Sequence, residues 1–200
     1  GAPTWAIPAV AAPAAVAVWV VHPVATLLLL RRRKRRRKDV SLTFWRAGLI
    51  AGLVLGPLSA AALWAPDPER WRVCLGWVAI WGWSGLIMHG MLTRIVSFLV
   101  WFHRFSALVG RVPVPPMRRL WPDTRARVGL VAHVAAVALG AVAILLSSDG
   151  LARAAGGAMV VAGVTLGYGL LRCVATPVPS VAVDPPVDLS ADLSVDLSVE

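Results

Sequence analysis

The sequence predicts an all-α fold, a polytopic transmembrane helix bundle with about five spans. Of the 200 residues, 58% are hydrophobic and only 15% are charged, whereas soluble domains carry charge on roughly a quarter of their residues. The apolar residues also form blocks of roughly 20, the length an α-helix needs to cross the hydrocarbon core of a bilayer. Since the backbone cannot hydrogen-bond to water there, each block is expected to be a helix.

The apolar blocks define one helical domain, residues 1–175, followed by a tail. The spans are expected at 9–30, 47–64, 73–91, 128–146 and 151–174. The third apolar run would be ~45 Å long as a single helix, too long to cross upright. It could be one strongly tilted helix, but tilts that large are uncommon. We therefore expect its crossing helix to end near Met91 and a kinked extension to cover 92–105. Residues 176–200 are acidic and of low complexity, and are expected to be disordered.

Basic residues gather in two links between the spans, which explains most of the net charge of +10. Residues 31–38 follow the first span directly, and the arginine-rich stretch 104–127 follows the third. Basic links are retained on the cytoplasmic side of a membrane. We therefore expect the cytoplasmic (inner) membrane of a bacterium, with the N-terminus outside and the tail inside. The expected partners are the lipid bilayer and either other membrane subunits or a missing N-terminal half, but no nucleic acid.

Few ionisable side chains interrupt the apolar spans, and such residues at membrane depth tend to face an interior or a ligand. His89 lies near the inner end of the third span and His133 lies near the inner end of the fourth, so both occupy one layer of the membrane. Two imidazoles facing each other across a helix pair can be the axial ligands of a b-type haem. The sequence thus predicts His89 and His133 as metal ligands of haem b.

Two further residues extend this candidate site. Arg94, about one turn beyond His89, is suited to pairing with a haem propionate, and His103 is a substitute for either axial ligand. The alternative interpretation is structural. Each histidine then hydrogen-bonds a carbonyl of a neighbouring helix, and Arg94 extends its guanidinium to the membrane boundary.

Residues 82–104 read GWSGLIMHGMLTRIVSFLVWFHR. This stretch resembles the C-terminal half of bacterial membrane proteins distantly related to haem-copper oxidase subunit I, which often read Gly-Met-x-Tyr-Lys-Ile-Val-Pro-Phe-Leu-Val-Trp. The VPPM at 114–117 and His133 fit the same pattern, and the resemblance covers about residues 40–145. Ser97 stands where the pattern has proline, which implies a softer kink. The adjacent histidine pair that holds copper is absent from the sequence, so oxidase activity by this chain alone is not expected.

Three functions are compatible with these patterns. The first is a haem-binding subunit or fragment linked to electron transfer or gas response. The second is a non-catalytic membrane scaffold or assembly component. The third is a transporter fragment, for which the spans offer only Arg94, the histidines and scattered Ser and Thr. The sequence contains no Walker loop, GxSxG or HExxH motif, so the chain is not expected to be an enzyme on its own.

Overall fold

The computed structural model describes residues 12–32 and 40–178, and this part of the chain is helical without any strand. Five helices are long and apolar enough to cross a membrane, which confirms the predicted all-α bundle of a multi-pass membrane protein. A sixth, short helix, α4, lies in the arginine-rich link. The helices are α1 (Ala12–Arg31), α2 (Val40–Trp64), α3 (Pro68–Leu108), α4 (Met117–Leu120), α5 (Asp123–Leu146) and α6 (Asp149–Val174).

Some parts of the predicted organisation lie outside the described residues. These are the start of the first span at 9–11, most of the basic run at 33–38, and the acidic tail from residue 179. The last described residues, 176–178, follow α6 without helical structure.

Helix α3 continues through Met91 without a boundary, so the helix does not end at the position predicted for the end of the third span. The stretch Leu86–Phe105 is one α-helix, and it contains no proline that would interrupt the hydrogen bonds of the backbone. Its hydroxyls also bond to the helix itself: Thr93 donates to the carbonyl of Gly90 at 2.8 Å, and Ser97 donates to the carbonyl of Thr93 at 2.7 Å. The departure from α-helical geometry lies earlier, in the π-helical stretch Val78–Gly85.

Two short turns lie at one end of the bundle. One connects α2 to α3, and the other connects α5 to α6. Asp67 accepts the backbone N–H of Arg70 and caps the start of α3, with Pro68 in the first turn. Helix α5 ends at Leu146. The following residue, Ser147, has a left-handed φ of 49°, and Ser148 caps α6. This turn brings α5 and α6 together as an antiparallel pair.

The opposite end of the bundle is closed by a buried apolar cluster. It joins the start of α2, the end of α3, the link around α4, the start of α5 and the end of α6. Its members are Val40, Phe44, Leu86, Phe105, Leu120, Trp121, Ala126 and Cys173. Glycines let the large rings pack against backbone: a Cβ on Gly169 would lie 2.4 Å from the ring of Trp121. These helix ends therefore lie together, on the side where the chain is richest in arginine.

Candidate functional site

The structure brings His89 on α3 and His133 on α5 into direct contact inside the bundle. The two side chains are buried, with 6% and 5% of their surface exposed. Their Nδ1 atoms are 3.1 Å apart, and the ring centroids are 5.3 Å apart. The two histidines thus occupy one layer of the interior, and one hydrogen bond joins them.

Two glycines make this contact possible. A Cβ on Gly85 would lie 3.3 Å from Nε2 of His133, and a Cβ on Gly129 would lie 3.2 Å from Nε2 of His89. Each imidazole therefore lies over the glycine that precedes the other histidine by one turn. The sequence contains this arrangement as a short repeat, GLIMH at 85–89 and GLVAH at 129–133. Since α3 and α5 run in opposite directions, the two copies face each other with local two-fold symmetry.

The π-helical stretch of α3 supplies the second partner of His133. Nε2 of His133 is 3.0 Å from the carbonyl oxygen of Trp81, which lies within Val78–Gly85. Because a carbonyl only accepts, Nε2 of His133 carries the hydrogen. A wider helical turn changes the direction of its carbonyls, and such turns are common at functional sites. Here the π-helical turn holds a histidine of the neighbouring helix.

For two neutral rings, these contacts assign the position of each ring hydrogen. A charged imidazole is costly at membrane depth, so each ring carries one hydrogen. His133 carries its hydrogen on Nε2, so its Nδ1 accepts and Nδ1 of His89 donates. Nε2 of His89 is then left with a lone pair, which faces the backbone of Gly129. The hydrogen bonds thus run in one direction, from His89 through His133 to Trp81.

The surroundings of the pair are tightly packed. Phe44 of α2 stacks on His89 with a centroid distance of 4.5 Å and an interplanar angle of 28°. Thr165 of α6 lies against Gly129, where a Cβ would meet its hydroxyl at 3.1 Å. Four helices, α2, α3, α5 and α6, therefore enclose the two imidazoles.

This arrangement does not fit the haem site expected from the sequence. Two axial imidazoles on opposite sides of one metal ion place their ligating nitrogens ~4 Å apart, since a metal–nitrogen bond is ~2.0 Å long. The porphyrin also needs a free plane between them. The Nδ1 atoms of His89 and His133 are 3.1 Å apart, and Phe44 and two glycines border the rings. Gly85 and Gly129 allow α3 and α5 to approach closely enough for the two imidazoles to contact each other.

The other two predicted site residues are not part of the pair. Arg94 and His103 have exposed side chains on α3, and Nδ1 of His103 contacts the carbonyl of Leu99 on its own helix at 2.9 Å. Within residues 12–32 and 40–178, no three His, Cys, Asp or Glu side chains are grouped closely enough to hold a metal ion. Cys74 and Cys173 are buried in separate apolar clusters.

Two parts of the chain that carry the family resemblance contact each other. The indole of Trp101, in the stretch 82–104, donates a hydrogen bond to the carbonyl of Pro115 at 3.0 Å. This bond holds the proline-rich segment after α3 against the end of that helix. In comparisons with known proteins, no family model, characterised protein or solved structure matches this chain.

Proposed function

We propose that this chain is a non-catalytic helical membrane component, a scaffold or assembly partner, whose interior is held together by the His89–His133 pair. The observation that carries this proposal is the direct hydrogen bond between the two imidazoles at 3.1 Å. The polar atoms of the site are used to bind helices to one another, because His89 bonds to His133 and His133 bonds to the backbone of α3. Such bonds between helices stabilise bundles in lipid.

The other buried polar side chains of the described residues support the same function. They are Thr93 and Ser97, and both donate to carbonyls of their own helix. A transporter needs a series of polar groups that leads across the bilayer. Instead, the buried polar groups of the described residues are the histidine pair, the two hydroxyls, and the indole N–H groups of Trp83 and Trp121. No carboxylate is among them, so a scaffold fits this interior better than a transporter fragment.

A b-type haem linked to electron transfer or gas response is the competing proposal. It draws on the resemblance to haem-copper oxidase subunit I and on the position of both histidines in one layer. It also requires α3 and α5 to separate and Phe44 to leave the face of His89. In the scaffold proposal, this chain is related to those proteins, but its histidines join helices and do not bind haem. Its proposed location is the bacterial inner membrane.

One experiment separates the two proposals. The protein is produced with haem supplementation, purified in detergent, and its visible spectrum is recorded. We expect no Soret band. A Soret band that is lost in both His89→Ala and His133→Ala, but kept in His103→Ala, would overturn the scaffold proposal in favour of haem binding. The same variants report on the scaffold role, since only the two buried substitutions should lower the thermal stability of the bundle.

A further inference from the structure

Charge is distributed unequally between the two ends of the bundle. At one end, Arg70 and Arg72 pair with Asp67 and Glu69 at 3.2 and 3.6 Å, and Arg153 lies near Asp149 in sequence. We call the other end, where α1, α3 and α6 end and α2 and α5 begin, the arginine end. Its described arginines are Arg31, Arg32, Arg46, Arg104, Arg111, Arg118, Arg119, Arg125, Arg127 and Arg172. Asp123 is the single acidic residue among the described residues there.

The chain leaves the bundle at this same end. Helix α6 ends at Val174, and Arg104 of α3 donates to the carbonyl of Val174 and, at 3.2 Å, to the carbonyl of Thr176. These bonds fix the start of the C-terminal segment beside the arginines. The first acidic residue of the segment, Asp184, is six positions beyond Val178, a reach of at most ~20 Å. The segment therefore starts within reach of the arginine end.

The C-terminal segment has the complementary charge. It contains no basic residue, and from Asp184 to its last residue every fourth position is acidic. These positions are Asp184, Asp188, Asp192, Asp196 and Glu200. Covalent attachment keeps the local concentration of this acidic segment high at the arginine end, so that weak ion pairs suffice for binding. Pairs between exposed charges are weak individually, but several of them act together here.

We propose that residues 179–200 bind to the arginine end of their own chain. Arg111, Arg119 and Arg127 are exposed there and supply binding groups for the carboxylates. Anionic lipid headgroups are attracted to the same arginines, so the bound segment and an anionic membrane surface compete for one set of cations.

The test measures how accessible the segment is to a protease that cleaves before aspartate. The full chain is placed in nanodiscs of zwitterionic phosphatidylcholine, and cleavage within 179–200 is followed by mass spectrometry. Replacing Arg111, Arg119 and Arg127 by Gln should speed cleavage on the order of tenfold, the combined effect of three exposed ion pairs. Replacing Arg72 and Arg153 by Gln at the other end is the matched control and should leave the rate unchanged.

Two conditions test the wild-type chain without any substitution. Raising the salt from ~0.05 M to ~0.5 M should speed cleavage, since the screening length falls severalfold. Nanodiscs that contain phosphatidylglycerol should have the same effect, because the lipid displaces the segment. Cleavage that is equally fast in the wild type and the triple variant, and is insensitive to salt, would overturn the proposal. If the triple variant does not fold, the salt series on the wild type decides.

Discussion

At the residue scale, the central feature is a pair of neutral imidazoles that would be costly to bury separately. A polar group without a partner inside a bundle costs roughly 1–3 kcal/mol. His133 avoids this cost with both ring nitrogens, through His89 and the carbonyl of Trp81. Both of these bonds join α3 to α5. Replacing a histidine therefore also removes the hydrogen-bond partner of a group on the neighbouring helix.

Replacing His133 by Phe should therefore lower the free energy of unfolding by about 1–3 kcal/mol. The ring volume is nearly kept, but the Nδ1 donor of His89 and the Trp81 carbonyl both lose their partner. Unfolding in mixed micelles by increasing amounts of a denaturing detergent, followed by tryptophan fluorescence, measures the change. His103→Ala is the control, since His103 is exposed and contacts its own helix. Equal effects of the two substitutions would contradict the structural role of the pair.

The sequence allowed part of this site to be predicted. The positions of His89 and His133 within their spans placed both residues in one layer, and the structure brings them into contact. The haem expectation depended on the distance between α3 and α5, which span positions do not give. That distance follows from Gly85 and Gly129, whose missing side chains let each ring approach the other helix. The repeat GLIMH and GLVAH was the available signal.

At the element scale, α3 shows that a long apolar run can form one continuous helix. The length of its apolar run favoured an end of the crossing helix near Met91, yet Leu86–Phe105 is one helix. A proline at this position would have removed a backbone donor, whereas Ser97 keeps its N–H for the helix. Apolar length alone does not contain this information.

Ser97→Pro should destabilise the protein by about 3 kcal/mol, since the ring would collide with the carbonyl of Thr93 and the helix would lose a hydrogen bond. Ser97→Ala is the matched control and should cost less than the proline variant, because it keeps the backbone N–H and removes only the hydroxyl, which bonds to the carbonyl of Thr93 and to Cys173. Detergent-induced unfolding compares the two variants. A proline variant as stable as the alanine variant would mean that α3 bends at this position.

Helix packing gives a second prediction at this scale, at Gly140. A Cβ there would lie 2.4 Å from the indole ring of Trp77, whereas a Cβ on Gly163 would meet nothing within 4 Å. Gly140→Ala should therefore cost about 1–3 kcal/mol through overpacking. Gly163→Ala should be neutral or stabilise by up to about 1 kcal/mol, since alanine favours the helix. Thermal unfolding in detergent tests this difference, and a loss of stability at Gly163 matching that at Gly140 would refute it.

At the scale of the whole molecule, composition determines more than any single residue does. The long apolar blocks predicted the all-α bundle and its five spanning helices, because lipid leaves the backbone few other ways to satisfy its hydrogen bonds. The packing order of the helices was not predictable in the same way. It depends on contacts between distant residues, such as Trp121 against Gly169 and Trp101 with Pro115. Similar apolar faces are compatible with many such pairings.

The charge difference between the two ends predicts how the bundle is oriented. With the arginine end held in the cytoplasm, Gly150→Cys in the first turn of α6 should face outward and Arg119→Cys should face inward. Both positions are exposed, and the native Cys74 and Cys173 are buried, so the parent chain should stay unlabelled.

A membrane-impermeant maleimide applied to intact bacterial cells should therefore label Gly150→Cys and leave Arg119→Cys unmodified. After the cells are permeabilised, both variants should react, which shows that each thiol is accessible. The reverse pattern in intact cells would place the arginine end outside. The Arg119→Cys substitution removes one positive charge. The orientation depends on the basic residues of two separate links, so this loss alone is not expected to reverse the orientation of the bundle.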